Sequence, residues 1–268
     1  MVDLPQTERI ILELSDNWLT ISFNHPETRN SLSQKLTEEV ILTLNSIKEH
    51  SSIRGITFRG EGGIFCSGGD LKSFKFGLQG GEKDEVDVEQ MSQKTGEFFE
   101  LINSFPKPII MLAEGAAMAG GLGMLCAADI VIVTVDCKFA LTETTLGIVP
   151  AQIAPLIVSR VGLSKARRLM LTASKFNGKE AGEFGIADFV VDSSNELSTV
   201  EVMIKKDILK CAPNANSITK EIVLASRNLE GDGLRKFAAK GFAKAMMSDE
   251  GREGISAFVE KRKPKWSE

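Results

Sequence analysis

Two glycine-rich turns constrain this chain most, because each follows a strand-length apolar run. The first is Phe65-Cys66-Ser67-Gly68-Gly69-Asp70-Leu71, which comes after the run Gly55–Arg59 and the turn residues Gly60–Gly63. The second is Ala119-Gly120-Gly121-Leu122-Gly123, which comes after Ile109–Ala113 and opens an apolar helix through Ala127. Glycine lets backbone N–H groups come close to a ligand. A helix N-terminus adds unpaired N–H donors and the positive end of a dipole. Two such donors, from separate segments, can hold one carbonyl oxygen as an oxyanion hole. A Gly-Gly turn taken singly is more often structural. No G-x-G-x-x-G with a strand before it and an acidic partner after it occurs, and no G-x-x-x-x-G-K-[ST]. Dinucleotide and P-loop readings are therefore set aside.

The rest of the chain predicts an α/β fold. Leu19, Ile21 and Phe23 alternate with Trp18, Thr20 and Ser22, the period of a strand. After a turn at His25-Pro26-Glu27, Ser33 can cap a helix carrying Leu36, Val40, Leu44 and Ile47 on one face. Ile109–Ala113 and Ile130–Val133 read as buried strands. Strand and helix alternate in this way in α/β architectures. The stretch Lys72–Gly96 holds Gly77, Gly80, Gly81 and the run Glu82-Lys83-Asp84-Glu85, and reads as a surface loop able to act as a lid. From Ser198 the pattern is mostly helical, with a capped start at Ser248 and a stop at Pro264.

Charge and cysteine usage narrow the function class. A net charge of -4 argues against general nucleic-acid binding, which needs clustered cations. Met1–Ser15 lacks the pattern of a signal peptide, so a cytoplasmic setting is expected. No apolar run reaches the roughly 20 residues of a membrane span. Cys66, Cys126, Cys137 and Cys211 show no C-x-x-C spacing and no His cluster. Free thiols and no metal site are the expectation.

With these motifs in hand, the chain resembles the crotonase, or enoyl-CoA hydratase/isomerase, superfamily along nearly its whole length. The resemblance rests on Arg29-Asn30-Ser31-Leu32, Phe65–Lys72, Ala113–Asp129, Phe139–Pro150 and Gly254–Arg262, in that order. It implies a ββα spiral over residues 1–197 and a helical region over 198–268 that serves assembly and CoA contact. It implies an acyl-CoA substrate, no separate cofactor, and a homotrimer or dimer of trimers. The oxyanion donors then fall on the N–H groups of Gly69 and Gly120. CoA contacts fall on Arg29, on Ser67, Gly68, Gly69, Asp70 and Leu71, on Lys72, and on Phe258 and Lys261 of the C-terminal helix.

Family hydratases typically carry two glutamates. This chain has Gly123 at the first position and keeps the second as Glu143, in Glu143-Thr144-Thr145-Leu146-Gly147-Ile148-Val149-Pro150. One carboxylate can take a proton from one atom and return it to another. It can serve hydration of a C2=C3 bond or movement of a double bond. The run Leu146–Pro155 resembles hydratases of branched, 3-methylglutaconyl- or isohexenylglutaconyl-type CoA esters. Within it, Gln152 is a candidate partner for a distal substrate carboxylate. Glycine at 123 is expected to leave room for water or a branched acyl group. The rival readings are an enoyl-CoA isomerase using Glu143 and a non-catalytic acyl-CoA-binding protein.

Overall fold

The computed structural model describes residues 3–70 and 84–267. Strand β1 (Ile10–Ser15) and strand β2 (Trp18–Phe23) form an antiparallel hairpin with Ser15 opposite Trp18. Asp16 and Asn17 link them, with φ of 50° and 62°. Two left-handed residues give the turn whose twist matches a hairpin. Helix α1 (Gln34–Ile47) starts at Ser33, whose hydroxyl accepts from the Leu36 N–H, and it buries Leu36, Val40, Leu44 and Ile47 as their spacing predicts.

Strands β3 (Gly55–Gly60), β4 (Ile109–Ala113), β6 (Ile130–Thr134) and β9 (Phe189–Val191) extend the sheet in the order β1-β2-β3-β4-β6-β9, parallel from β2 onward. A second sheet has the order β5-β7-β8, from β5 (Ala116–Met118), β7 (Lys138–Ala140) and β8 (Lys175–Asn177). Its β5 and β7 run parallel, so their C-terminal ends lie side by side.

Helix α2 (Glu85–Asn103) corrects the sequence reading of Lys72–Gly96 as a loop. Asp84 and Asp87 form a reciprocal capping box, and Glu85 adds charge to the first turn. The acidic run is thus a helix start, where negative charge meets unpaired N–H groups. The helix buries Phe98, Phe99 and Ile102. Residues 71–83, which include the earlier part of that stretch, lie outside the described residues.

Helix α3 (Gly120–Ala127) follows β5, and α4 (Ala154–Val161), α5 (Leu163–Leu171) and α6 (Gly178–Phe184) complete the middle of the chain. Helix α7 (Ser194–Leu209) packs on the far face of the large sheet, with Leu197, Val200, Ile204 and Ile208 against Trp18, Ile110, Leu112 and Ile132. Residue 198 falls inside it. Beneath this contact the Trp18 indole donates to Thr57 Oγ1 at 2.9 Å, and Thr57 donates to Glu201 at 2.6 Å.

Helices α8 (Pro213–Ala225), α9 (Gly231–Met246) and α10 (Asp249–Val259) follow. Ser248 caps α10, accepting from the Gly251 N–H at 3.0 Å. The helix ends at Val259 and not at Pro264. Lys261 takes φ 55°, its N–H bonds to Phe258 O, and the Arg262 N–H bonds to Ala257 O at 3.0 Å. That pair of bonds is a Schellman ending, here without the usual glycine. Arg54 holds the end of the chain by donating to Trp266 O at 3.0 Å and Cys211 O at 2.6 Å.

Candidate active site

The two glycine turns are joined edge to edge. Cys66 donates to Ala116 O at 3.0 Å, and Met118 donates back to Cys66 O at 3.0 Å. Leu32 donates to Gly68 O at 2.8 Å on the other side. Gly68 has φ 96°, and a Cβ there would stand 3.0 Å from Met118 O. A Cβ on Gly121 would stand 2.9 Å from the Cys66 Cβ. Glycine at both positions lets the turns close on each other.

The Arg29–Asn30 turn braces the first of them. Both residues are left-handed, with φ of 56° and 54°. Ser67 donates its N–H to Arg29 O at 3.0 Å and its hydroxyl to Thr28 O at 3.1 Å. The buried Asn30 amide accepts from the His25 N–H at 2.9 Å and donates to Glu61 O at 2.9 Å and Ile64 O at 2.7 Å. The sequence reading gave this bracing role to no residue. Asparagine's tolerance of left-handed backbone was the available signal. The Arg29 side chain is exposed beside the turn, where a cation can meet an anionic ligand.

Ala119 makes the corner of the second turn. Its φ of 47° and ψ of −115° are rare for a residue with a Cβ, and its N–H is anchored on Ala140 O at 2.8 Å. Such strain persists where surrounding structure holds it, often at functional sites. Gly120 is then the first residue of α3. A Cβ on Gly120 would stand 3.9 Å from the Gly69 nitrogen. Among the described residues, no carbonyl accepts from the N–H of Gly69 or of Gly120. The two donors expected from the sequence are therefore neighbours, with no carbonyl acceptor among the described residues.

Glu143 arises from the same corner. It lies three residues after Ala140 and opens the short 3-10 turn Glu143–Leu146, which Gly147 closes in left-handed conformation. Its Oε2 is buried and has no hydrogen-bond partner. Burial pushes its carboxyl above the ordinary carboxylate range, since desolvation disfavours the anion. An unpaired buried carboxylate oxygen is costly unless it serves a ligand.

The expected room at Gly123 is filled. A Cβ there would stand 2.9 Å from the Ile153 Cβ, closer still to its Cγ2, and 3.4 Å from Phe99 Cε1. Ile153 is 4% exposed. The position therefore holds neither a carboxylate nor space for water. Gln152, next to it, donates to Ser92 Oγ at 3.0 Å and lies over Gly96 of α2.

Other expected site residues fall as follows. Asp70 is half-buried at the end of the first turn and is engaged in an interaction of its own. Leu71 and Lys72 lie outside the described residues. Phe258 is 85% exposed, and Lys261 is exposed in the Schellman ending of α10. Asp129 accepts from the Ile109 N–H and from Lys220, both at 2.8 Å, a structural tie between β4 and α8. Glu114 accepts from the Ser194 hydroxyl. No helix among the described residues is long and apolar enough to cross a membrane. Among them no group of three or more His, Cys, Asp or Glu could hold a metal ion.

Comparison with known proteins places this geometry. The chain is 31% identical over 252 residues to a probable enoyl-CoA hydratase of Bacillus subtilis (strain 168), covering 94% of this chain and 96% of the relative. It is also 31% identical over 252 residues to a peroxisomal Delta(3,5)-Delta(2,4)-dienoyl-CoA isomerase of Arabidopsis thaliana, covering 91% and 90%. The solved structure of Pseudomonas aeruginosa AtuE superposes with a TM-score of 0.93 at 38% identity, covering 97% of this chain and 100% of that one. The family model for enoyl-CoA hydratase/isomerase matches residues 13–268. This chain belongs to the enoyl-CoA hydratase/isomerase family.

Proposed function

We propose that the chain hydrates the C2=C3 bond of an enoyl-CoA with Glu143 as its one acid–base group. Two observations carry this reading: the Oε2 of Glu143 is buried and unpartnered, and Gly69 and Gly120, which adjoin each other, have N–H groups that no carbonyl among the described residues accepts from. The thioester oxygen accepts from Gly69 and Gly120. Glu143 takes a proton from water as the water oxygen bonds to C3. The electron pair of the double bond moves to the thioester as an enolate. Glu143 then returns the proton to C2. The oxyanion donors act most strongly on the enolate, where negative charge is greatest. Arg29 and the turn residues Ser67–Asp70 face the CoA portion in this reading. Phe258 and Lys261 reach it from a neighbouring copy.

A second reading has a specific observation behind it. Ile153 fills the space over Gly123, which favours a dry site in which Glu143 moves a proton from C2 to C4 and the double bond shifts from C3 to C2. The hydratases among the relatives favour the first reading. The branched, glutaconyl-type ester now rests on the Leu146–Pro155 resemblance alone.

Oxygen-18 water separates the two. Incubated with straight 2-enoyl-CoA esters and with a 3-methylglutaconyl-type ester, the enzyme is expected to give a labelled 3-hydroxyacyl product by mass spectrometry, from the straight esters at least. Failure to label with any enoyl ester, together with conversion of a 3-enoyl-CoA to its 2-enoyl isomer, sinks hydration and selects isomerisation. Binding of esters without either reaction selects the acyl-CoA-binding reading.

A threefold assembly is part of the same proposal. Phe242, Met247, Phe258 and Val259, all in or beside the last two helices, are strongly exposed. Apolar exposure of this kind calls for a partner surface. Light scattering at micromolar concentration is expected to give a trimer or hexamer. A monomer that is fully active would remove the 198–268 region from assembly. A cytoplasmic setting fits the four free cysteines, three of them buried.

A further inference from the structure

Two consecutive side chains of the loop after Glu143 are seated on two glycines. Gln152 lies over Gly96 of α2, and Ile153 lies over Gly123 of α3. The loop is thereby fixed to both helices that flank the oxyanion donors. Gly123 is three residues from Gly120, so the two share one face of α3. On that scale Ile153 stands roughly 5–6 Å along the helix from the Gly120 position. Phe99 spans both places, its ring lying 3.4 Å from a Cβ on Gly123 and 3.7 Å from a Cβ on Gly120. Ile153 and Phe99 are buried, at 4% and 2% exposure.

We infer that Ile153 is a specificity-determining residue, measuring bulk at the acyl carbons next to the thioester, above all at C3. The inference rests on the acyl-CoA reading of the site. A thioester oxygen held at Gly120 leaves C2 and C3 to run along the same face of α3. The wall they meet is the branched end of Ile153 with the edge of Phe99. A β-branched side chain is stiff at χ1, so the wall yields little. Any side chain at 123 would collide with it, so the gauge needs glycine there. The absent carboxylate and the apolar wall are two sides of one packing choice.

Calorimetric binding of two saturated, unreactive esters tests this without turnover. Butanoyl-CoA and 3-methylbutanoyl-CoA differ by one methyl at C3. One such group in an apolar pocket is worth about tenfold or more in discrimination. Ile153→Ala is expected to raise the affinity ratio of the branched over the straight ester about tenfold. Ile153→Leu keeps the volume but moves the branch away from Gly123, and is expected to shift the ratio the same way by less. A role in stability alone would weaken both esters together and leave the ratio where it was. If the alanine variant does not fold, the leucine variant decides. An unchanged ratio in a folded variant overturns the inference and leaves the acyl-CoA reading intact. A wild-type protein that binds neither ester overturns both.

Discussion

Glu143→Gln is expected to lower turnover by roughly 100- to 10,000-fold, the usual cost of losing a positioned acid–base group, while the affinity for CoA esters stays within a few-fold. The amide has nearly the same shape as the carboxyl but cannot take a proton. On the proposed reading, substrate is held by the Gly69 and Gly120 donors and by contacts to CoA, none of which the substitution changes. The pH profile supplies a second readout. Burial raises the Glu143 carboxyl above its ordinary value of 4.5. The active base is the carboxylate, so kcat/KM in the wild type should rise with pH through that raised value. The variant should have no such limb. Stability moves the other way. A carboxyl raised in the folded state favours folding fully below its unfolded pKa, and that contribution is lost as pH rises through the folded one. Above that raised value the wild type carries a buried, poorly solvated anion. Melting curves should find the glutamine variant at least as stable there, and less sensitive to pH between those two values. Near-wild-type turnover in the variant would move the proton to another residue.

How far the site was legible in the sequence depends on the range of the interaction. The two glycine turns, the Ser33 cap and the Leu36–Ile47 face are written in adjacent residues, and the structure builds them as read. Helix α2 was missed because its acidic cap, Asp84 to Asp87, resembles a solvated loop in composition. Strand β1 was missed because it is an edge strand with most residues partly exposed, so its apolar signal is thin. The end of α10 was misplaced because a lysine, not a glycine, takes the left-handed position. At Gly123 the chain shows that a carboxylate is absent. What replaces it is a residue thirty positions later, and only the packing of α3 against the loop before α4 brings the two together. Asn30 is similar. Its three hydrogen bonds, to His25, Glu61 and Ile64, tie segments far apart in sequence, and no local pattern announces them.

Gly120→Pro is expected to fold and to lose at least about a hundredfold in kcat/KM, since removing one oxyanion donor typically costs about 3–4 kcal/mol in the transition state. Position 120 is the first residue of α3, where proline is well tolerated because its missing N–H has no helical acceptor. That tolerance lets the substitution address the N–H itself. Two local strains must be controlled. A Cβ at 120 would approach Leu32 Cδ1 to 2.9 Å, the far end of a flexible side chain. Proline also restricts the residue before it, and Ala119 already sits in a rare conformation. Gly120→Ala separates these effects, since it adds the Cβ and keeps the donor. It should stay within about tenfold of the wild type, because moving one Leu32 methyl costs on the order of 1 kcal/mol. Circular dichroism and melting come first, to establish that both variants fold. A folded proline variant that turns over as fast as the alanine variant would show that the Gly120 N–H does not hold the enolate oxygen. The oxyanion hole would then have to be sought elsewhere along the first turn of α3.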